Sequence, residues 1–264
     1  VDQSLSIARQ LVKAHSEVQL FQHPDQQNRG AGASRNLGLR KAQMPYVAFL
    51  DADDFYLPQR FVFTQKQFQQ YPDAGGVYEA IGTQYATPAL QTTFLQTVRG
   101  QALTTLRVAP APKQLFEILL LGQQGWCHLN GFTLKRKVLS QLDEFDSALQ
   151  QSQDLDFILS ASLKTKLYPG HLTQPVAMRF IHDNNRILDR PQALYYKQLL
   201  YQKWFSRISQ HQWSSQVNRF LFSIHLSYHP WVRAAPSKYS RRWRKSIMGL
   251  RLLLQAPWRW HKLL

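Results

Sequence analysis

The sequence predicts an α/β fold with a mostly parallel sheet flanked by helices, followed by a basic helical extension. Three observations support this prediction. Apolar runs of strand length alternate with segments of helical periodicity, residues 46–50 form one continuous apolar run, and all acidic residues occur before residue 190. A continuous run of this length is typical of a strand that a parallel sheet buries on both faces.

The elements before residue 75 follow from local periodicity and turn residues. The apolar residues of 5–15 share one helical stripe, and residues 18–21 alternate between apolar and polar, as in a short strand. A loop rich in Pro, Gly, Asn and Gln covers 24–32. The elements predicted next are a helix at 33–42, the strand at 46–50, and a helix from Leu57-Pro58 to about residue 70.

Beyond residue 75 the pattern is less regular at first. Pro88, Pro110 and Pro112 interrupt residues 76–112, for which we predict strands and loops. The elements predicted after this region are a short apolar helix at 114–121, a strand running into a helix over 132–142, an amphipathic helix at 154–163 and a strand at 176–181.

The net charge of +16 is concentrated in the C-terminal part of the chain. Residues 190–264 carry 14 of the 32 lysines and arginines and none of the 16 acidic residues. This change predicts a boundary between an α/β domain at 1–189 and a basic region at 190–264. The single cysteine, Cys127, excludes an internal disulfide framework, and no run reaches the roughly 18 apolar residues of a membrane-spanning helix.

Three aspartates, Asp51, Asp53 and Asp54, follow directly on the buried strand. Open α/β sheets bind their ligands at the C-terminal ends of the strands. In an extended chain Asp51 and Asp53 point to the same side. Such carboxylates suit Mg²⁺ or Mn²⁺, which keep contacts for substrate phosphates. The alternative is that Asp54 caps a helix beginning near Pro58, without any metal.

Two neighbouring stretches resemble a known family signature. Residues 30–39 are GAGASRNLGL and residues 46–54 are YVAFLDADD. They resemble the core of family 2 glycosyltransferases, which have the GT-A fold and in which a G-x-x-x-A/S-R-N-x-G stretch leads into a strand ending in a DxD motif. Further similar blocks, in the family's order, are residues 1–4 (VDQS), Phe145-Asp146 with Gln153-Asp154-Leu155-Asp156, and residues 178–182 (MRFIH).

The resemblance implies a metal-dependent site for a nucleotide-sugar donor. Asp51 would face the ribose of the donor, and Asp53 would hold Mn²⁺ or Mg²⁺ on the diphosphate, with Asp51 and His182 as further metal contacts. The other donor contacts that the motif positions imply are Asp2, Arg35, Asn36 and Asp54. Without the family context, Arg35 is also consistent with a solvated helix residue, and His182 with a polar residue at a strand end.

The resemblance also implies that Asp154 is the general base, which takes the proton of the acceptor hydroxyl. The family has Glu-Asp at this position and the chain has Gln153-Asp154, so the base is kept while its acidic neighbour is replaced. The alternative is that Asp154 caps the following helix. Relatives form their acceptor pocket before the next strand, here at Trp126, His128, Asn130 and Gly131. Ordinary loop packing is the alternative for these four residues.

In the family, a strand, a helix and a second strand precede the position that Val1-Asp2 occupies here. We therefore interpret residues 1–189 as a GT-A catalytic domain without this first unit. Since that unit holds much of the nucleotide in the family, we expect little activity from this chain alone and full activity from a longer parent.

The basic region at 190–264 contains six of the seven tryptophans and is predicted to be helical. Within it, Trp243, Ile247, Leu250 and Leu254 recur every three or four positions among arginines and lysines. Such a helix is typical of one that lies on an anionic membrane surface. The alternatives are a helical subdomain packed on the catalytic domain and, less favoured, a surface for nucleic acid.

These observations predict an inverting glycosyltransferase. It would move a sugar from a nucleotide-sugar donor to a hydroxyl of a glycan or lipid-linked acceptor, in the synthesis of a cell-surface polysaccharide or lipopolysaccharide. It would be cytoplasmic and peripheral, on the inner face of the cytoplasmic membrane, with no nucleic-acid partner. The alternatives are a catalytically silent fragment that binds membrane or nucleic acid, and a nucleotidyltransferase.

Overall fold

The computed structural model describes residues 3–98, 100–183, 185, 189–207 and 213–255, and its mixed α/β fold has helices around two open sheets. The described helices are α1 (Ser4–Ala14), α2 (Gly30–Lys41), α3 (Val62–Gln70), α4 (Pro88–Thr97), α5 (Pro112–Leu121), α6 (Gln153–Lys164), α7 (Arg190–Ser206), α8 (Ser215–Tyr228), α9 (Pro230–Arg233) and α10 (Lys238–Gln255). The described strands are β1 (Tyr46–Ala48), β2 (Phe55–Tyr56), β3 (Gly76–Tyr78), β4 (Ile81–Tyr85), β5 (Phe132–Lys135), β6 (Leu167–Pro169) and β7 (Ala177–Ile181). Short 3₁₀ turns at Leu129–Gly131 and Arg136–Gln141 flank β5.

The larger sheet has the strand order β1-β5-β3-β6, and the smaller sheet has the order β2-β7-β4. Strand β5 is antiparallel to both β1 and β3, and β2 is antiparallel to β7, whereas the pairs β3–β6 and β4–β7 are parallel. The α/β class is confirmed, but the sheets are mixed, and the prediction of a mostly parallel sheet was wrong in this respect. A short apolar run does not encode the direction of the strand beside it.

Two predicted local structures differ in the structure. Residues 18–21 are exposed and lie in no described strand. The helix expected to begin near Pro58 begins instead at Val62 as α3, with Phe61 at its N-cap position. Asp54 therefore does not cap this helix, and the structural alternative for that aspartate is excluded.

The centre of the main core consists of three aromatic rings. Phe145 and Phe157 stack with their centroids 4.1 Å apart, and Phe49 meets each of them nearly edge-on at 5.8 Å. Phe49 lies just before Asp51, and Phe157 lies one turn of α6 after Asp154. The packing of these rings therefore brings the end of β1 close to the start of α6.

A buried ion pair connects the loop before α3 to the end of β3. Arg60 Nη1 lies 3.0 Å from Glu79 Oε2, and neither side chain is more than 2% exposed. The Thr64 hydroxyl donates to the same carboxylate oxygen at 2.6 Å, and Arg60 Nη2 donates to the Thr133 hydroxyl at 3.1 Å. Burial raises the pKa of Glu79 and lowers that of Arg60. Each charge therefore depends on the other for compensation inside the protein.

The first two helices of the basic region pack into the same core as the larger sheet. The buried core residues that they supply are Tyr196, Leu200, Tyr201 and Trp204 from α7, and Val217 and Leu221 from α8. Polar contacts reinforce this packing. The buried carboxylate of Asp156 on α6 accepts hydrogen bonds from Lys203 Nζ at 2.7 Å and from Trp204 Nε1 at 3.1 Å. The predicted boundary at 189/190 therefore separates two parts of one core.

The last described helix, α10, lies outside this core against α8. Lys245 Nζ donates to the hydroxyls of Ser223 and Ser227 at 2.8 and 2.7 Å. On the other side of the helix, exposed apolar residues form a stripe, which we call the α10 stripe: Tyr239, Trp243, Ile247 and Leu250. Among the described residues, no helix has the length and apolar character needed to cross a membrane.

Candidate functional site

The predicted site residues gather where the chain leaves β1. Residues 51–54 form a turn, which we call the aspartate turn, in which the Asp54 N–H donates to the Asp51 carbonyl at 3.1 Å. Side chains from α2, the Leu129–Gly131 turn and the residues after β7 contact this turn, and the α2 side chain also binds Asp154 on α6. Elements that are far apart in the sequence therefore meet around the three aspartates.

Arg35 on α2 connects two carboxylates of the predicted site. Its Nη2 lies 2.5 Å from Asp51 Oδ1, and its Nη1 lies 2.8 Å from Asp154 Oδ1. The planar guanidinium suits such a pair of acceptors because its donors have a fixed fork geometry. The Arg35 side chain is only 15% exposed, so it is not a solvated helix residue. Ser152 occupies the N-cap position of α6, so Asp154 does not cap that helix.

The environment of Asp154 suits a general base. Burial raises the pKa of Asp154 above its ordinary value, and the guanidinium of Arg35 opposes this rise. The carboxylate lies inside a cleft, but 34% of its side chain is exposed, so a ligand can reach it. A carboxylate with a raised pKa holds a proton more strongly and is a better base.

Asp53 faces the residues that follow β7. His182 Nε2 and Asn185 Nδ2 each lie 3.4 Å from Asp53 Oδ2. The carboxylate suits Mn²⁺ or Mg²⁺, and a neutral imidazole is a common further ligand of divalent metals. Within the part of the chain that the structure describes, no group of three or more His, Cys, Asp or Glu side chains is arranged to hold a metal ion. Asp51, also predicted as a metal contact, forms an ion pair with Arg35.

Asp54 and Asn130 hold the aspartate turn in position. The Asp54 carboxylate accepts the Phe180 N–H at 2.8 Å and a hydrogen bond from the Asn130 carboxamide. Asn130 Oδ1 in turn accepts the Asp51 N–H at 3.2 Å. Burial raises the pKa of Asp54, and the bond from Phe180 opposes the rise. Asn130 is fully buried and orients the aspartates, and its predicted acceptor contact stays untested.

Asn36 and Gly131 also have packing roles that the sequence did not indicate. Asn36 is buried, and its carboxamide donates to the Phe145 carbonyl at 2.9 Å and accepts the Phe145 N–H at 2.8 Å. A Cβ atom on Gly131 would lie 2.3 Å from the Glu79 carbonyl oxygen, so this close approach requires glycine. The structure places both residues behind the site, and their predicted ligand contacts stay untested.

His128 and Trp126 lie in the loop before β5, on the predicted acceptor side. The Nδ1 atom of His128 accepts the Asn130 N–H at 3.2 Å, which leaves the proton of the neutral ring on Nε2. Burial, and after it the charge of the nearby Arg179, lower the pKa of His128 to about 3, so the ring is neutral at pH 7. Trp126 is 38% exposed, and Lys197 Nζ lies 4.9 Å from its ring centroid.

Arg179 in β7 is a charged group that the sequence showed only as one letter of a motif. Burial lowers its pKa, and the nearby carboxylates of Asp54 and Asp51 oppose the shift. Arginine nonetheless stays protonated, so Arg179 balances part of the negative charge of the aspartate turn. Its Nε has no hydrogen-bond partner among the described residues. The predicted donor contact Asp2 lies outside the residues that the structure describes.

Comparison with known sequences identifies relatives that are described as glycosyltransferases. Residues 1–121 match the family model described as glycosyl transferase family 2. An uncharacterized glycosyltransferase of Haemophilus influenzae is 23% identical over 155 residues, which cover 59% of this chain and 48% of that protein. A second one from the same organism is 44% identical over 54 residues, or 20% of this chain and 21% of that protein. The chain thus spans half or less of the length of these relatives.

Comparison with solved structures concerns the fold. S. aureus TarS in complex with UDP-GlcNAc superposes with a TM-score of 0.58 at 14% identity, over 97% of this chain and 69% of that one. TarS in complex with UDP gives a TM-score of 0.56 at 14% identity, over 92% and 65%. These matches extend the likeness of fold beyond residue 121. Residues 1–121 of the chain are therefore similar to glycosyl transferase family 2, and the described structure has the GT-A fold.

Proposed function

We propose that this protein is an inverting glycosyltransferase with a nucleotide-sugar donor and a hydroxyl acceptor on a glycan or lipid-linked substrate. One observation carries the proposal: Arg35 bridges Asp51 and Asp154 at 2.5 and 2.8 Å, so the carboxylate proposed as the base lies close to the one that would face the donor. The presence of UDP-GlcNAc in a TarS structure supports a donor of this class.

The reaction would proceed as a single displacement. Asp154 accepts the proton of the acceptor hydroxyl while that oxygen forms a bond to the anomeric carbon of the donor sugar. The bond from this carbon to the diphosphate oxygen breaks, and its electron pair leaves with the nucleoside diphosphate. Attack from the face opposite the leaving group inverts the configuration at the anomeric carbon.

Negative charge develops on the diphosphate as it leaves. Asp53 and His182 would hold Mn²⁺ or Mg²⁺, which neutralises that charge when bound. Arg179, half-buried beside the aspartates, supplies a fixed positive charge from the protein itself. Asn130 and Asp54 keep the aspartate turn in one geometry, which avoids reorganisation during the reaction.

The metal assignment predicts that Asp53→Asn abolishes cation-enhanced nucleotide binding. With Mn²⁺ present, we expect the native protein to bind UDP or GDP at least about tenfold more tightly, ~1.4 kcal/mol, than without it. The substitution should remove this difference, because it removes a charged ligand of the cation. Calorimetric titration measures both affinities. Asp73→Asn, an exposed aspartate paired with Lys166 at 2.6 Å, is the matched control.

A native protein whose affinity for every nucleoside diphosphate tested is indifferent to Mn²⁺ and Mg²⁺ would contradict the proposed site.

The α10 stripe supports a second part of the proposal, namely attachment to an anionic membrane surface. Arg241, Arg242 and Arg251 are exposed on the same helix and form no ion pair with any described residue. Exposed apolar side chains bordered by cations match the apolar interior and anionic head groups of a membrane interface. This attachment would bring the site to a lipid-linked or surface-polysaccharide precursor on the cytoplasmic face.

Replacing the centre of the α10 stripe should therefore weaken membrane binding. We expect the double variant Trp243→Ser/Ile247→Ser to lose about tenfold or more of its affinity for phosphatidylglycerol vesicles, since two exposed apolar side chains that the membrane would bury are lost. High salt should weaken the native interaction as well. Flotation measures the bound fraction, and Met44→Ser, a change at an exposed apolar residue elsewhere, is the control. RNA binding without vesicle binding would favour the nucleic-acid alternative.

A further inference from the structure

A pocket separate from the aspartate turn lies between the first turns of α2 and α6. It has a volume of about 360 Å³ and is lined by residues 28–33, by residues 147–150 except Ala148, and by Gln153. Ligand sites commonly have volumes of about 300–1,000 Å³. The pocket adjoins the proposed base, because Gln153 directly precedes Asp154. No acidic residue is among those that line it.

Both helices begin at this pocket without a side-chain cap. The N-cap residues, Arg29 for α2 and Ser152 for α6, accept no capping hydrogen bond from the helix. Asn28 Oδ1 accepts one first-turn N–H, that of Gly30, at 2.9 Å. The remaining first-turn N–H groups and the positive ends of two helix dipoles favour an anion here.

The side chain of Gln153 is an independent sign of a ligand. The residue is 7% exposed, it lines the pocket, and its carboxamide has no hydrogen-bond partner among the described residues. Gly32 makes room for it, since a Cβ atom there would lie 2.2 Å from Gln153 Oε1. The carboxamide N–H groups are therefore free to donate to a bound group.

We propose that this pocket binds an oxyanion, a phosphate or carboxylate group, that the acceptor carries beside its reacting hydroxyl. The proposal rests on the proposed function, because the assignment to the acceptor follows from the adjacent base, Asp154. The charge of the pocket decides the class of ligand. Where the family pattern has Glu, the chain has neutral Gln153, which can donate hydrogen bonds to an oxyanion that a carboxylate would repel.

Residue-specific NMR titration with inorganic phosphate and with acetate tests this site and separates the two oxyanions. In the native protein, the amide signals of Gly30, Gly32 and Gln153 should shift saturably with at least one of them, and not with methyl glucoside. Gln153→Glu should weaken this binding at least about tenfold, ~1.4 kcal/mol. Gln151→Glu is the matched control, because its side chain bonds Gln192 outside the pocket. The Gln151→Glu variant should change the affinity for the oxyanion by less than about threefold, ~0.6 kcal/mol.

The variant Gln153→Met keeps the pocket neutral and removes the donor, so it should also weaken binding even where Gln153→Glu fails to fold. The absence of saturable shifts, or an affinity that neither Gln153 variant changes, would overturn the oxyanion site. Mn²⁺-dependent UDP binding is measured on the same samples. If it is retained while phosphate and acetate do not bind, this inference alone fails. If it is lost while they still bind at these amides, the assignment to an acceptor fails together with the proposed function.

Discussion

Asp154→Asn is expected to lower kcat about 10³-fold, since general base catalysis contributes typically 10²–10⁴-fold. The amide keeps the size of the side chain but cannot accept the proton of the acceptor hydroxyl. Affinity for nucleoside diphosphate should change far less than kcat, because the aspartate turn is held by Asn130 and Asp54 rather than by Asp154. Steady-state kinetics with the native donor and acceptor, in a protein that turns over, measure the loss.

The pH profile gives a second test of the same residue. Burial raises the pKa of Asp154, while Arg35 on α2 and Arg179 on β7 lower it and Asp51 raises it. A base must be deprotonated to act, so kcat should fall as the pH drops through this raised pKa, at a higher pH than for an ordinary aspartate. A variant Asp154→Asn that keeps the native kcat, with the same acid limb, would exclude Asp154 as the base.

Arg60→Met is expected to lower the free energy of unfolding by about 3–5 kcal/mol, the usual cost of removing one partner of a buried ion pair. Glu79 would keep its bond from Thr64 but lose its compensating charge. Chemical denaturation measures the effect. Arg40→Met is the control, because its partner Glu144 is exposed and such a surface pair contributes about 0–1 kcal/mol.

The loss in Arg60→Met should depend on pH in a defined direction. Without the guanidinium, the already raised pKa of Glu79 rises further, and protonation then removes the uncompensated charge. The variant should therefore be less destabilised near about pH 5 than near about pH 8. The double variant Arg60→Met/Glu79→Leu should recover much of the stability. A single variant as stable as the native protein would show that this pair is not a structural clamp.

The position of the aspartate turn was predictable because a buried strand that ends in three acids is a strong local pattern. The meeting of Arg35 and Asp154 was not local: 119 residues separate them, and only the order of the family's blocks suggested that both belong to one site. The structure supplies the contact itself. The neutral state of His128 likewise follows from burial and from Arg179, neither of which a sequence displays.

Other features escaped sequence reasoning for physical reasons. The bond from the Asp51 N–H to Asn130 was not predicted. An asparagine that holds a turn in place and one that binds a sugar have the same side chain, so the sequence does not distinguish them. The basic composition of residues 190–264 predicted a separate region. The core instead takes the apolar faces of α7 and α8, and Lys203 of α7 pairs with the buried Asp156. The composition of such helices indicates the charge of their exposed faces but not how their apolar faces pack.

The shared guanidinium of Arg35 has a thermodynamic consequence. Since one guanidinium serves both Asp51 and Asp154, the proton affinity of Asp154 depends on what Asp51 binds. Linkage makes this dependence mutual and equal in free energy. A molecule that binds at Asp51 thereby changes the pKa of Asp154. Protonation of Asp154 changes the affinity for that molecule by the same factor.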